Sequence, residues 1–238
     1  MINEPITVLT LTFNRHKILQ EAIQSFVLQN RPECEMLIIN DQPSVTYTCG
    51  VPNVRIINVK QRFPTVFDKL RFGYSQSKNE FAYRLDDDDL LAEDVLGKCQ
   101  SQIFENKGYQ LYRSPKHYMF INNEFRDIKG NVNTGNIFSK TFVAGIDRNE
   151  VKNRNVLHSG QDLYMLRDAK PTTYTFSHNS MIYRWGMNTY HLSGFGLKDA
   201  GEINKRINQR IQQEEGIINL VPKFEHDYYK MVREGTAK

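Results

Sequence analysis

The run of four aspartates from Asp86 to Asp89 is the feature that most constrains how this chain can fold. Four adjacent carboxylates repel one another, so a folded protein keeps them only where solvent, helix N-termini or a cation compensates their charge. The run follows an apolar, strand-like segment at residues 81–85 and precedes a helix-like segment at residues 90–104. The carboxylates are therefore expected at the carboxyl end of a strand, the edge at which open α/β sheets bind ligands.

Two interpretations of the acidic run differ in the ligand that they require. Hard oxygen ligands at such an edge suit Mg²⁺ or Mn²⁺ carrying a phosphorylated substrate. The alternative is a solvated turn in which Asp89 is the N-cap of the next helix. We expect Asp89 to be that cap, but one cap does not account for Asp86, Asp87 and Asp88. The sequence therefore predicts a cation site.

Composition limits the classes of protein that this chain can form. With 238 residues, of which 39% are hydrophobic, the chain can bury one substantial core. The formal net charge is +4, from 31 lysines and arginines against 27 aspartates and glutamates. This mild basic excess is compatible with anionic substrates or nucleic acid, and many soluble enzymes share it.

The cysteines and the apolar runs indicate a compartment. Cys34, Cys49 and Cys99 are odd in number and lack CxxC spacing, so we expect reduced thiols rather than a zinc site. The N-terminal residues show no signal-peptide pattern, and no apolar run approaches the ~20 residues that span a bilayer. The prediction is a soluble, cytoplasmic protein without a transmembrane segment.

Hydrophobic periodicity predicts an α/β fold. In the first half, apolar strand patterns alternate with helical spacing, which indicates a mostly parallel sheet flanked by helices. The predicted strands cover residues 6–12, 36–39, 54–59 and 81–85, and the predicted helices cover residues 18–27 and 65–77. The second half is less regular, with short strands at 109–112, 118–121, 136–138, 173–176 and 181–183 and a helix at 161–168. From residue 198 the chain is polar and predicted to be mainly helical.

Three signals occur in a fixed order along this pattern, the first of which joins two turns. Thr12-Phe13-Asn14-Arg15 follows the first strand, and Asn40-Asp41 follows the second. The stretch from Lys69 to Phe81 leads into Asp86-Asp87-Asp88, and Gly160-Gln161-Asp162 begins the predicted helix at 161–168. This ordered set resembles the family 2 glycosyltransferases, which have the GT-A fold. The sequence departs from the family pattern at Asn40, where an aspartate is usual, and at Gln161, where a glutamate is commoner.

The resemblance implies a role for each matching residue. It implies that Asp86 and Asp88, with His178, hold Mn²⁺ or Mg²⁺, and that Asp162 is the catalytic base of an inverting transfer. It also implies a nucleotide-diphosphate sugar as donor, most often uridine-linked, bound by Thr12, Asn14, Arg15, Asp41, Lys69, Arg71, Asp86 and Asp87. Ordinary structural roles remain open for several of these residues. Asn14 and Asp162 suit helix N-caps, Asp41 suits a turn, and His178 suits a hydrogen-bonded position.

The resemblance also suggests a domain organisation. A GT-A domain would cover residues 1–195, with a nucleotide-sugar half at about 1–105 and an acceptor half at about 106–195. Residues 196–238 would form a helical C-terminal extension.

Other functions remain open at this stage. A nucleotidyltransferase would normally carry a Gly-rich loop after the first strand, and residues 12–17 contain no glycine. A sugar-nucleotide-binding module without catalysis is the non-enzymatic alternative, against which the intact Asp86, Asp88 and Asp162 argue. The expected acceptor is a glycan or a lipopolysaccharide-type saccharide. A hydroxylated base in DNA is the alternative, with phosphate contacts from residues 198–210.

Overall fold

The computed structural model describes residues 4–121, 124–129, 134–153, 165, 168–185 and 214–235. The strands in these ranges are β1 (Ile6–Thr12), β2 (Glu35–Asn40), β3 (Val45–Thr48), β4 (Val54–Asn58), β5 (Phe81–Arg84), β6 (Leu90–Leu91), β7 (Leu111–Arg113), β8 (Lys116–Ile121), β9 (Glu124–Lys129), β10 (Ile137–Ser139), β11 (Thr173–Thr175), β12 (Met181–Trp185) and β13 (Gly216–Asn219). The helices are α1 (His16–Val27), α2 (Val66–Gln76), α3 (Val95–Glu105), α4 (Lys140–Gly145), α5 (Arg148–Asn153) and α6 (Tyr228–Gly235).

A seven-stranded sheet forms the centre of the molecule, in the order β11-β7-β10-β5-β1-β2-β4. Its pairings are parallel except for β10, which runs antiparallel to β5 and β7. This confirms the predicted α/β fold with a mostly parallel sheet. Because β1, β2 and β5 are parallel neighbours, their carboxyl ends meet at one edge, which carries the predicted site.

Helices cover the sheet on both faces. α1 buries Leu19, Ile23 and Phe26 in one apolar cluster, and α2 buries Phe67 and Leu70 in the other. Gly73 permits the close approach of α2, because a Cβ atom there would lie 2.6 Å from Leu9 Cδ1. A side chain at this position would require the Leu9 side chain or α2 to shift.

Two smaller sheets complete the described fold. One has the order β6-β12-β8-β9, and the other pairs β3 with β13 in parallel. The sequence pattern did not indicate β3, β9 or β13. β3 and β13 pair with each other over a long sequence separation, and β9 pairs with β8. Within its described residues, the C-terminal tail (residues 196–238) therefore contains the strand β13 as well as the helix α6, whereas the sequence pattern predicts a mainly helical tail.

The prediction of a helix from residue 90 was wrong. Leu90 and Leu91 form β6, which pairs antiparallel with β12, and α3 begins only at Val95. A short apolar run fits a buried strand as well as a helix, and here the pairing with β12 favours the strand. Asp89 consequently does not cap α3.

Some predictions fall outside the described residues, including most of the helix at 161–168 and the polar segment at 198–210. In the part of the chain that the structure describes, no helix is long and apolar enough to cross a bilayer.

Candidate functional site

The acidic run lies directly after β5, at the edge where β1 and β2 also end. Asp86, Asp88 and Asp89 each offer one carboxylate oxygen, and these oxygens all lie within 4.8 Å of one another. The Asp86 side chain is 28% exposed, whereas Asp88 and Asp89 are buried. A compact group of oxygen ligands with one solvent-facing member fits a hard divalent cation.

Two arginines compensate the charge of the run. Arg15 Nη1 lies 2.7 Å from Asp87 Oδ1 and 3.4 Å from Asp88 Oδ2, and Arg84 Nη2 lies 3.1 Å from Asp86 Oδ1. Burial raises the pKa of Asp87, and the charge of Arg15 opposes that rise. Burial lowers the pKa of Arg15, but Asp87 and Asp88 outweigh burial and the net shift is upward. Arg15 therefore stays cationic beside the carboxylates.

Asp89 has a structural role of its own. Its Oδ1 accepts a hydrogen bond from the Arg184 backbone N–H at 3.1 Å, and its Oδ2 accepts one from the Thr134 hydroxyl at 3.4 Å. Burial, together with the charges of Asp88 and Asp86, raises the pKa of Asp89 well above its ordinary value. Asp89 thus joins the acidic turn to β12 and to the segment before β10.

A second polar group forms where β1 and β2 end. Lys69 Nζ donates to Asp41 Oδ1 at 2.5 Å and to the Thr12 carbonyl oxygen at 2.7 Å. Asp41 Oδ2 accepts from the backbone N–H of Phe63 at 3.2 Å. Burial lowers the pKa of Lys69, and Asp41 opposes this effect. The structure therefore brings Thr12, Asp41 and Lys69 together, as the sequence motifs imply.

The turn after β1 is held by side-chain amides. Asn14 has a φ of 55°, a left-handed conformation that asparagine tolerates better than most residues. Its Oδ1 accepts from Gln42 Nε2 at 2.9 Å. Arg15, not Asn14, occupies the N-cap position of α1, so Asn14 is not the helix cap that its sequence position also allowed.

Two predicted site residues lie elsewhere. Arg71 Nη2 donates to the carbonyl oxygen of Ala144, at 3.4 Å, on the side of α2 that faces α4. His178 stacks on Phe176, with ring centroids 4.8 Å apart, and its Nε2 lies 3.9 Å from Cys99 Sγ on α3. Among the described residues, the structure places neither side chain in the cluster of carboxylates formed by Asp86, Asp88 and Asp89. Asp162 lies outside the described residues.

Sequence reasoning missed Arg184 and Glu21. The Arg184 guanidinium is buried; its Nε donates to the Asp88 carbonyl oxygen at 2.5 Å, and its Nη1 pairs with the buried Glu21 carboxylate. Tyr228 on α6 donates from its hydroxyl to Glu21 Oε1 at 3.1 Å. Isolated arginines and glutamates carry no local signal, and only the packing of α1, β12 and α6 makes this network visible.

The central sheet, with the acidic run at the carboxyl ends of its parallel strands, places the protein in the class of GT-A-type proteins. The family model described as "Glycosyl transferase family 2" matches residues 7–184, and the chain belongs to that family. The resemblance drawn from the motifs is thereby confirmed. No curated protein sequence matches the chain significantly.

Solved structures agree on the fold. The crystal structure of S. aureus TarS 1-349 superposes with a TM-score of 0.56 at 14% identity, covering 76% of this chain and 60% of that one. The same fragment in complex with UDP-GlcNAc gives a TM-score of 0.57 at 13% identity, covering 85% of this chain and 65% of that one. A complex with UDP also matches, with a TM-score of 0.55 at 14% identity, covering 76% and 60% of the two chains. The chain thus spans about 60% of the first of these fragments.

Proposed function

We propose that this protein is a metal-dependent, inverting glycosyltransferase that moves a sugar from a UDP-linked donor to a saccharide hydroxyl. The observation that carries this proposal is the meeting of two groups at one sheet edge. The first is the cluster of carboxylates that includes Asp86 and Asp88. The second, beside it, is the ion pair of Asp41 with Lys69. Membership of the family and the UDP and UDP-GlcNAc complexes of TarS support it.

The nucleotide would lie where β1 and β2 end. Each Asp41 oxygen accepts one hydrogen bond, from Lys69 or from the Phe63 N–H, and a carboxylate oxygen can accept a second. Uracil presents one ring N–H between two carbonyl oxygens, so a carboxylate held in place by a lysine is a suitable acceptor for it. The fixed position of Asp41 would then orient the base.

The diphosphate would lie at the acidic run. Asp86 and Asp88 offer hard oxygen ligands at compatible spacing, so these residues fit Mg²⁺ or Mn²⁺. When bound, the ion would neutralise the charge that grows on the diphosphate as the glycosidic bond breaks. Arg15 adds positive charge at the same edge and is fixed there by Asp87.

The acceptor side of the proposal rests on the family resemblance. Asp162 would accept the proton of the acceptor hydroxyl, whose oxygen attacks the anomeric carbon on the face opposite the diphosphate. This single displacement inverts the configuration at that carbon. A saccharide acceptor is proposed on the same ground.

A panel of nucleotide-sugars tests the proposal. Binding is measured by calorimetry with and without Mn²⁺, and slow donor hydrolysis is followed by release of the nucleotide. We expect a UDP-sugar to bind in the presence of Mn²⁺ and to be hydrolysed, and the variant Asp88→Asn to lose both properties. Formation of a nucleotide-sugar and pyrophosphate from a nucleoside triphosphate and a sugar phosphate, without hydrolysis of any nucleotide-sugar, would instead indicate a nucleotidyltransferase.

A further inference from the structure

Helix α1 begins beside the proposed donor site without a cap of its own. Its N-cap residue, Arg15, makes no side-chain capping hydrogen bond, and its first turn contains no acidic residue. The first N–H groups of a helix need acceptors, and the positive end of the helix dipole favours a negative charge nearby. The Arg15 side chain is directed instead to Asp87 and Asp88.

Glu214, two residues before the tail strand β13, supplies the missing carboxylate. Its Oε1 accepts from the His16 backbone N–H at 3.1 Å and lies 2.6 Å from His16 Nδ1. Its Oε2 accepts from the Tyr47 hydroxyl, and the Tyr47 oxygen in turn accepts from the Arg15 backbone N–H at 3.3 Å. The Glu214 side chain is only 9% exposed. This mostly buried carboxylate therefore accepts hydrogen bonds from the start of α1 both directly and through Tyr47.

Main-chain contacts hold Glu214 in this position. The Ser44 hydroxyl donates to the Glu214 carbonyl oxygen at 2.8 Å, and the Gly216 N–H donates to the Ser44 carbonyl oxygen at 2.8 Å. The Glu214 N–H reaches Asn14 Oδ1 at 3.4 Å. The parallel pairing of β13 with β3 continues the attachment from Gly216 onward. The tail is thus bonded to both loops that border the nucleotide end of the site.

We infer that Glu214 is a positioning residue of the donor site. It caps α1 from the tail and thereby fixes the turn Asn14-Arg15, so that Arg15 meets the acidic run in a single orientation. The inference rests on the proposed function, because it assigns this turn to the donor. Its consequence is that docking of the tail and binding of the donor stabilise each other.

The test compares Glu214→Gln with Glu215→Gln. Glutamine keeps the shape of residue 214 but removes the charge and one acceptor oxygen, whereas Glu215 is an exposed neighbour with the same substitution. We expect Glu214→Gln to weaken UDP binding in Mn²⁺ about tenfold, within the usual range of coupling between sites. The KM for the donor should rise with little change in kcat. Glu215→Gln should match the wild-type protein in both measurements.

A second variant keeps the test decisive should Glu214→Gln fold poorly. Tyr47→Phe removes the hydroxyl that relays the Arg15 N–H to Glu214 and retains the buried ring. We expect it to weaken UDP binding in the same direction, with faster amide exchange at residues 15–19. Unchanged UDP affinity in the variants that fold would overturn the inference while leaving the proposed function intact. Absence of UDP binding by the wild-type protein would overturn the proposed function, and the inference with it.

Discussion

The Arg184 guanidinium donates a hydrogen bond from Nε to the main-chain carbonyl oxygen of Asp88, at 2.5 Å. The same guanidinium pairs through Nη1 with Glu21 on α1, and both residues are buried. The acidic turn is therefore held from inside the protein by an ion pair that joins β12 to the first helix. The orientation of the Asp88 carboxylate depends on this support as well as on Arg15.

Replacing Arg184 by methionine should strongly destabilise the fold. The substitution leaves the Glu21 carboxylate buried without its cation, which typically costs about 3–5 kcal/mol in the free energy of unfolding. Urea unfolding followed by circular dichroism measures the change. The double variant Arg184→Met with Glu21→Leu should recover part of the loss, because it removes both charges. A single variant within about 0.5 kcal/mol of the wild type would contradict a buried pair.

Asp88→Asn should abolish transfer and weaken Mn²⁺ binding, because the amide cannot offer an anionic ligand to the ion. Calorimetric titration with Mn²⁺, followed by a donor-hydrolysis assay, checks both effects, and treatment with EDTA should reproduce the loss in the wild-type protein. Asp94→Asn is the matched control, since Asp94 forms an exposed pair with Arg31. Equal Mn²⁺ affinity in Asp88→Asn and Asp94→Asn would rule out Asp88 as a ligand.

Asp162→Asn should separate chemistry from donor binding. If Asp162 is the base, loss of its carboxylate lowers kcat by about 10²–10⁴-fold and leaves UDP affinity close to that of the wild type. Single-turnover kinetics with a saturating donor make the measurement. Asp168→Asn, on the same predicted helix, provides the comparison. Transfer by Asp162→Asn at the wild-type rate would remove the residue from the mechanism.

His178 should make stability depend on pH. Burial, with a contribution from Lys98, lowers the pKa of His178 to about 4, below the ~6.5 of an unfolded histidine. Between these values the unfolded chain binds the extra proton, so the contribution of His178 to the free energy of unfolding rises with pH, by at most about 1.4 kcal/mol per unit. Urea titrations from pH 4.5 to 7 should show this contribution as the difference in slope between the wild-type protein and His178→Gln. The exposed His226→Gln should keep the wild-type slope; equal slopes in the two variants would contradict the assignment.

Local patterns were sufficient for the elements that position the site. β1 is predicted with its observed bounds, and α2 to within one residue at each end. β1 is a continuous apolar and β-branched run, and the apolar residues of α2 recur at helical spacing. The errors involve pairing between distant segments. Leu90 and Leu91 form a strand because they pair with Ile182 and Met181, and nothing near them in sequence indicates that partner.

The difference between local patterns and contacts with distant segments also applies to the site. Arg15, Asp41 and the acidic run stand at ends of predicted strands, where a motif can be recognised. Arg184 and Glu214 reach the site from sequence-distant segments, so their contribution follows from tertiary packing alone. The role of His178 as a metal ligand stays a prediction, since the family resemblance alone implies it and the contacts of His178 are with Phe176 and Cys99.

The pairing of β3 with β13 has a consequence for the protein as it is synthesised. β3 leaves the ribosome long before residues 216–219 have been translated, and during that interval its edge has no strand to pair with in the small sheet. Unpaired strand edges recruit other extended chains, so we expect the nascent protein to be most prone to aggregation during this interval. The segment that covers this edge also carries Glu214. Translation of one short stretch therefore ends the exposure of β3 and completes the start of α1.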